Sequence, residues 1–164
     1  MTTTKIKSAA AVAAAALGAA VFVAPTVPAV AATYYTLKNL DSKLCLTGDT
    51  NGGVFTTDCR AGRTTQQWQL LTGATSRERL YKNRGTGLCL SNPTGNGSAR
   101  GRSCDKSDWK QNWETGGAEY LMSFKSDSPN YKWRLYDQRG TSLVPATTGS
   151  VSPNTAAQWR RLNT

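Results

Sequence analysis

Histidine is absent from all 164 residues, and aspartate and glutamate together number only 10. The first absence removes the usual base for a serine or cysteine nucleophile and a common nitrogen ligand for zinc. The second leaves few carboxylates for a glycosidase pair, and no two of them stand out at a catalytic spacing. The four cysteines contain no close C-x-x-C, so neither a redox pair nor a thiolate metal site is read. Beyond the first 32 residues no segment holds an apolar helical stripe for three turns. Catalysis, a metal or cofactor, and a helical fold are therefore not expected.

What is present begins with a leader. Lys5 and Lys7 precede the uncharged run "SAAAVAAAALGAAVFVAPTVPAVAA", which closes on small residues at Ala29/Ala31 or Val30/Ala32. Residues 1–32 read as a secretory signal peptide cut near residue 31 or 32. Pro25 and Pro28 break the run and no basic stop-transfer cluster follows, which argues against a permanent anchor. The expected product is secreted and extracellular, with no membrane segment in its mature form. It comprises residues 33–164, one domain's worth of chain, and is expected to be a monomer. Losing the two leader lysines lowers the formal charge from +10 to +8. That favours solubility and contact with anionic polymers, and says nothing about fold.

The mature chain repeats itself. "KNLDSKLCL" starts at Lys38 and "KNRGTGLCL" at Lys82, a shift of 44. Cys59 and Cys104, Gln66 and Gln111, and Trp68 and Trp113 keep nearly the same offset. A fainter third copy ends in "AAQWRRL", with Trp159 placed 46 residues after Trp113. Counting back from Trp159 puts Leu135 at the first cysteine position and Ser150 at the second. Both cysteines are thus missing from the same copy, so the simplest of the three connectivities bonds each pair within its repeat: Cys45–Cys59 and Cys89–Cys104. Short alternating runs such as "YYTLKNL", "GVFTTDC" and "ERLYKN" are punctuated by Gly, Asn, Asp, Ser and Pro. This is a pattern of short strands and tight turns, about four strands in each of three units, 33–75, 76–118 and 119–164.

A "CL" strand, a second Cys about fifteen residues on and a closing Q-x-W, three times over, resembles the ricin-B-type lectin domain. The resemblance covers essentially the whole mature chain. It implies an all-β fold, a β-trefoil of three four-strand repeats with pseudo-threefold symmetry, and non-catalytic carbohydrate binding. The third copy departs from Q-x-W, with Ala157 in the Gln position. Units too small for their own core must aim a large side chain at a shared axis, so Trp68, Trp113 and Trp159 are expected core anchors. Gln66 and Gln111 are expected to clamp turns and to satisfy nearby N–H groups, the indole's among them.

In the resembled lectins an acid two residues after the first Cys accepts sugar hydroxyls, and an aromatic ring two before the second Cys stacks on the sugar. Here the acid positions hold Thr47 and Ser91, and in the third copy Asp137, counted from Leu135. The stacking positions hold Thr57, Arg102 and Thr148, and the residue before the Q-x-W triplet, commonly Asn, is Thr65, Lys110 or Ala156. The sugar sites are therefore degenerate. Asp137 is the leading carbohydrate-binding candidate, Asp49 and Asn92 are candidate polar ligands on the rims, and Trp109 is a candidate platform. Trp133 and Tyr131 are read as half-buried packing. Arg100, Arg102, Lys106 and Lys110 gather around Cys104 as a basic patch. That patch supports an alternative partner, an anionic polymer, with no motif for specific nucleic-acid recognition. A second alternative is a secreted protein partner, the chain then acting as an inhibitor or accessory module. The triplet "NGS" at Asn96 matches a glycosylation acceptor, relevant only in a eukaryotic secretory path.

Overall fold

The structure, a computed structural model, describes residues 31–92, 97–116, 121–125, 132–137, 147–149 and 155–164. The leader up to residue 30, Asn96, Tyr131 and Ser150 lie outside the described residues, as does the side chain of Trp133.

The described residues form strands and short 3₁₀ turns. The first unit contributes β1 (Tyr34–Asn39), β2 (Cys45–Gly48), β3 (Val54–Thr57) and β4 (Gln67–Thr72). The second contributes β5 (Glu78–Asn83), β6 (Cys89–Ser91), β7 (Gly97–Ser98), β8 (Arg100–Arg102) and β9 (Trp113–Gly116). The third contributes β10 (Leu121–Lys125), β11 (Lys132–Tyr136), β12 (Thr147–Gly149) and β13 (Trp159–Asn163). A 3₁₀ turn precedes each tryptophan strand, at Thr64–Gln66, Trp109–Gln111 and Thr155–Ala157. The second unit thus has one strand more than the expected four, because its long connection out of β6 supplies β7.

Antiparallel pairing runs β13–β1–β4–β5–β9–β10, a wall of six strands to which each unit gives its first and last. The inner strands of each unit pair as a hairpin cap: β2 with β3, β6 with β8, β11 with β12. The caps also touch one another in a ring. Gly101 donates its amide to Gly52 O at 2.9 Å, β7 pairs with β12, and Thr56 Oγ1 donates to Asp137 Oδ1 at 3.2 Å. This is the β-trefoil arrangement.

The three tryptophans explain why units this small hold together. Trp68, Trp113 and Trp159 are buried in one cluster with Leu46, Leu90 and Leu135. Burying one indole contributes about 5 kcal/mol at 25 cal/mol per Å². Each indole N–H donates to a backbone carbonyl, at 3.0 Å to Leu46, 2.9 Å to Leu90 and 2.9 Å to Leu135. The expected glutamine is not the indole's partner, because a strand carbonyl already faces it across the cap. Instead, the glutamines grip the loop holding the second cysteine. Gln66 donates from Nε2 to Asp58 O and accepts Arg60 N on Oε1. Gln111 does the same with Ser103 O and Asp105 N. The disulfides Cys45–Cys59 and Cys89–Cys104 close the same loops.

A second device joins neighbouring units. Asn39 and Asn83 end their strands fully buried. Asn83 Nδ2 donates to Thr65 O of the first unit at 2.8 Å, and its Oδ1 accepts the amides of Gly85 and Thr86. Asn39 reaches Ala156 O of the third unit at 2.8 Å and accepts from Asp41 and Ser42. Each side chain thus shapes its own turn and clasps a neighbouring unit. Asn83→Ala should orphan the Thr65 carbonyl and the Thr86 amide, Gly85 N keeping its bond to Thr64 O, and lower the unfolding free energy by about 2–4 kcal/mol, read from the urea midpoint. A shift below about 0.5 kcal/mol would show that water replaces the clasp without cost. The turn that follows needs a left-handed residue two before the cysteine: Gly87 takes it at φ 73° and Lys43 at φ 63°. The lysine offsets some of that strain by donating its amine to Leu40 O.

Candidate functional site

The cap positions implied by the lectin pattern come first. Thr47 is buried and closed into a polar cluster, its Oγ1 2.9 Å from Thr57 Oγ1 and 3.1 Å from Gln66 Nε2. A hydroxyl so committed is not free for a sugar. Ser91 is buried as well, with no partner for its Oγ among the described residues.

Asp137 requires a change of register. Leu135 accepts the indole N–H of Trp159 as Leu46 and Leu90 accept those of Trp68 and Trp113. It also faces Thr148 across its hairpin as Leu46 faces Thr56 and Leu90 faces Gly101. Leu135 therefore corresponds to the leucine after the cysteine, and Arg134 takes the first cysteine position. The residue two beyond that position is Tyr136, so Asp137 stands one step later than the count from Trp159 placed it. Its amide donates to Ala156 O as that of Asn92 donates to Lys110 O, which aligns those two residues. Asp137 is only 3% exposed and lies at the seam between the third and first caps, bonded to Thr56. Its Oδ2 has no partner among the described residues. The count failed because no cysteine anchors the third copy.

The other candidates separate into buried and exposed. Asn92 is fully buried and not on a rim, because its backbone is drawn under the second cap by the bond to Lys110 O. Asp49 shapes the β2–β3 turn, its Oδ1 accepting Asn51 N at 2.8 Å and Gly53 N at 2.7 Å. Trp109, in contrast, is 36% exposed, with Lys110 Nζ 5.6 Å from its ring centroid. Arg100 and Arg102 are exposed on alternate positions of β8, and Lys106 is exposed in the following loop.

That loop, Ser103–Asn112, is rigidly held. Asn112 Nδ2 donates to Lys106 O and Asp108 O, both at 2.9 Å. Asp108 Oδ1 accepts Lys110 N, capping the 3₁₀ turn that carries Trp109. The hydroxyl and then the amide of Ser107, bonded to the Asp105 carboxylate, hold its pKa below the ordinary value. The basic patch is therefore interleaved with two carboxylates that serve as turn acceptors. A separate groove of about 370 Å³ lies between the Cys59–Gly62 turn and β13, lined by Thr36, Arg60, Gln67 and Leu162 among others. No group of three or more metal-ligating side chains exists among the described residues.

Sequence reasoning missed the asparagine clasps, although the repeated "KN" was their signal. It also missed Phe55, half-buried on β3 opposite Thr47, which no lectin landmark marks.

Comparisons with known proteins agree with this geometry. The chain matches the family described as ricin-type β-trefoil lectin domain-like over residues 22–105. No curated protein matches it. Among solved structures it is similar to a mosquitocidal holotoxin, at 20% identity and a TM-score of 0.66, over 84% of this chain and 18% of that one. It thus spans less than a fifth of the toxin's length. The Rhizoctonia solani agglutinin is 17% identical with a TM-score of 0.64, over 86% of this chain and 100% of that one. A Macrolepiota procera ricin B-like lectin, solved with lactose, is 14% identical with a TM-score of 0.60, over 82% of this chain and 98% of that one. By its family match and its strand order, the chain belongs to the ricin-type β-trefoil lectin-like family.

Proposed function

We propose that the chain is an exported, non-catalytic carbohydrate-binding module that contacts its glycan through the Ser103–Asn112 loop. One observation carries this reading: an exposed indole, Trp109, stands on a loop whose backbone is pinned by Gln111, Asn112 and the Cys89–Cys104 bridge. A ring fixed in this way can stack on the C–H face of a sugar with little ordering cost. Lys106 and Lys110 supply donors beside it. Two disulfides fit an extracellular setting. The burial of Asp137 favours the second unit over the third as the place of contact.

The test is a broad glycan array with a wall-polysaccharide pull-down, at low and physiological salt. Trp109→Ala should weaken retention about tenfold, the loss of about 1.4 kcal/mol of stacking, with no shift in melting temperature. If the wild type is retained on no glycan under either condition, the reading fails. If Trp109→Ala binds as the wild type does, the site assignment alone fails. The exposed Arg100 and Arg102 favour a second reading, an anionic-polymer binder, which steep weakening with salt would mark.

A further inference from the structure

A cleft of about 200 Å³ on the outer wall collects residues that no lectin landmark singles out: Tyr34, Gln69, Lys82, Asn83, Arg84 and Gly87. The strand register explains the grouping. Tyr34 on β1 faces Gln69 on β4, and Gln69 faces Lys82 on β5, so the three form one row across adjacent strands. Their neighbours Tyr35, Trp68 and Asn83 make the next row and include the buried Trp68 and Asn83, so the first row faces outward.

Arg84 completes the cleft. Its guanidinium lies 4.7 Å from the Tyr34 ring centroid, and its Nη1 donates to Gln67 Oε1 at 2.7 Å. The arginine is thus held from two sides with other N–H groups left over. The Lys82 amine has no hydrogen bond or ion pair among the described residues, and no carboxylate lines the cleft. Two cations, a neutral amide and a phenol converge with no acid to neutralise them. Such a set suits an anion attached to a polar, hydroxyl-rich body. The cleft is also too small for more than about one sugar ring.

We propose that this cleft binds the anionic substituent of an acidic glycan, a uronate carboxylate or a sulfate, with Lys82 and Arg84 as its ligands and Gln69 as a hydroxyl partner. This deepens the carbohydrate reading and rests on it for ligand class. The site is distinct from both the Trp109 loop and the Arg100/Arg102 strand.

The test is affinity electrophoresis of the full mature chain through gels containing polygalacturonate, chondroitin sulfate or a neutral galactan. The wild type should be retarded by at least one acidic polymer, less so as salt rises. K82Q/R84Q should weaken that retardation about tenfold, the loss of two charge-assisted contacts. R100Q/R102Q removes the same charge and should weaken it less than about threefold, as expected of general attraction alone. Retardation by polygalacturonate alone assigns a carboxylate, and by chondroitin sulfate but not polygalacturonate a sulfate. The proposal is overturned if neither acidic polymer retards the wild type, or if K82Q/R84Q behaves like R100Q/R102Q. If Trp109→Ala is retarded as the wild type is while K82Q/R84Q is not, the Trp109 platform fails and the cleft stands.

Discussion

Replacing Trp113 by alanine is expected to cost about 3–5 kcal/mol and to unfold most of the chain at physiological temperature. The ring is fully buried in the cluster shared by all three units. It lies on β9, which pairs with β5 of its own unit and β10 of the next, so the cavity would open where two units meet. The substitution also strips Leu90 O of its 2.9 Å indole donor, adding the cost of an orphaned carbonyl to that of the cavity. Trp113→Phe helps to separate the two terms, because it loses the hydrogen bond but keeps most of the volume. It should cost about 1–3 kcal/mol. Urea unfolding followed by circular dichroism reads both. An alanine variant with an unchanged midpoint and lost glycan binding would mean that Trp113 is a sugar platform, contrary to its burial.

Trp113 also shows what could be read from the chain alone. The tryptophans, the cysteines and the Q-x-W glutamines were legible because the first two units repeat all of them at a nearly constant offset and the third keeps the tryptophan. Three equivalent indole bonds, to Leu46, Leu90 and Leu135, express that repetition. The identity of the indole's partner was not legible, since a backbone carbonyl leaves no mark on side-chain spacing. Asp137 was misplaced by one residue for a related reason. Without a cysteine to pin it, the third copy could be counted only from Trp159, and the length between landmarks is not conserved among the units. The cleft at Tyr34, Gln69 and Lys82 is harder still to foresee. Its residues meet only through the register of β1, β4 and β5, and register depends on which faces are buried. Trp109 could be singled out in advance because it stands out of step with the core tryptophans. Periodicity therefore reports the scaffold, and departures from it are where binding residues are to be sought.

Removing the two disulfides is the other large effect, and its consequences should differ between them. Their loops are nearly equal, with sequence separations of 14 and 15. Chain entropy therefore assigns each about 3 kcal/mol, and losing both removes about 6 kcal/mol from a domain of ordinary stability. C45A/C59A and C89A/C104A should accordingly show similar falls in urea midpoint. Their binding should not match. Cys104 anchors the base of the Ser103–Asn112 loop, whose other ties include hydrogen bonds donated by Gln111 and Asn112 and those accepted by Asp108 from Lys110 N and by Lys110 O from Asn92. Releasing that anchor lets Trp109 move and raises the ordering cost of stacking on a sugar. At a temperature where both variants are still folded, C89A/C104A should lose glycan retention severalfold while C45A/C59A keeps it. The 59–62 turn freed by C45A/C59A borders the groove beside β13, so retention lost equally in both variants would detach binding from the second-unit loop.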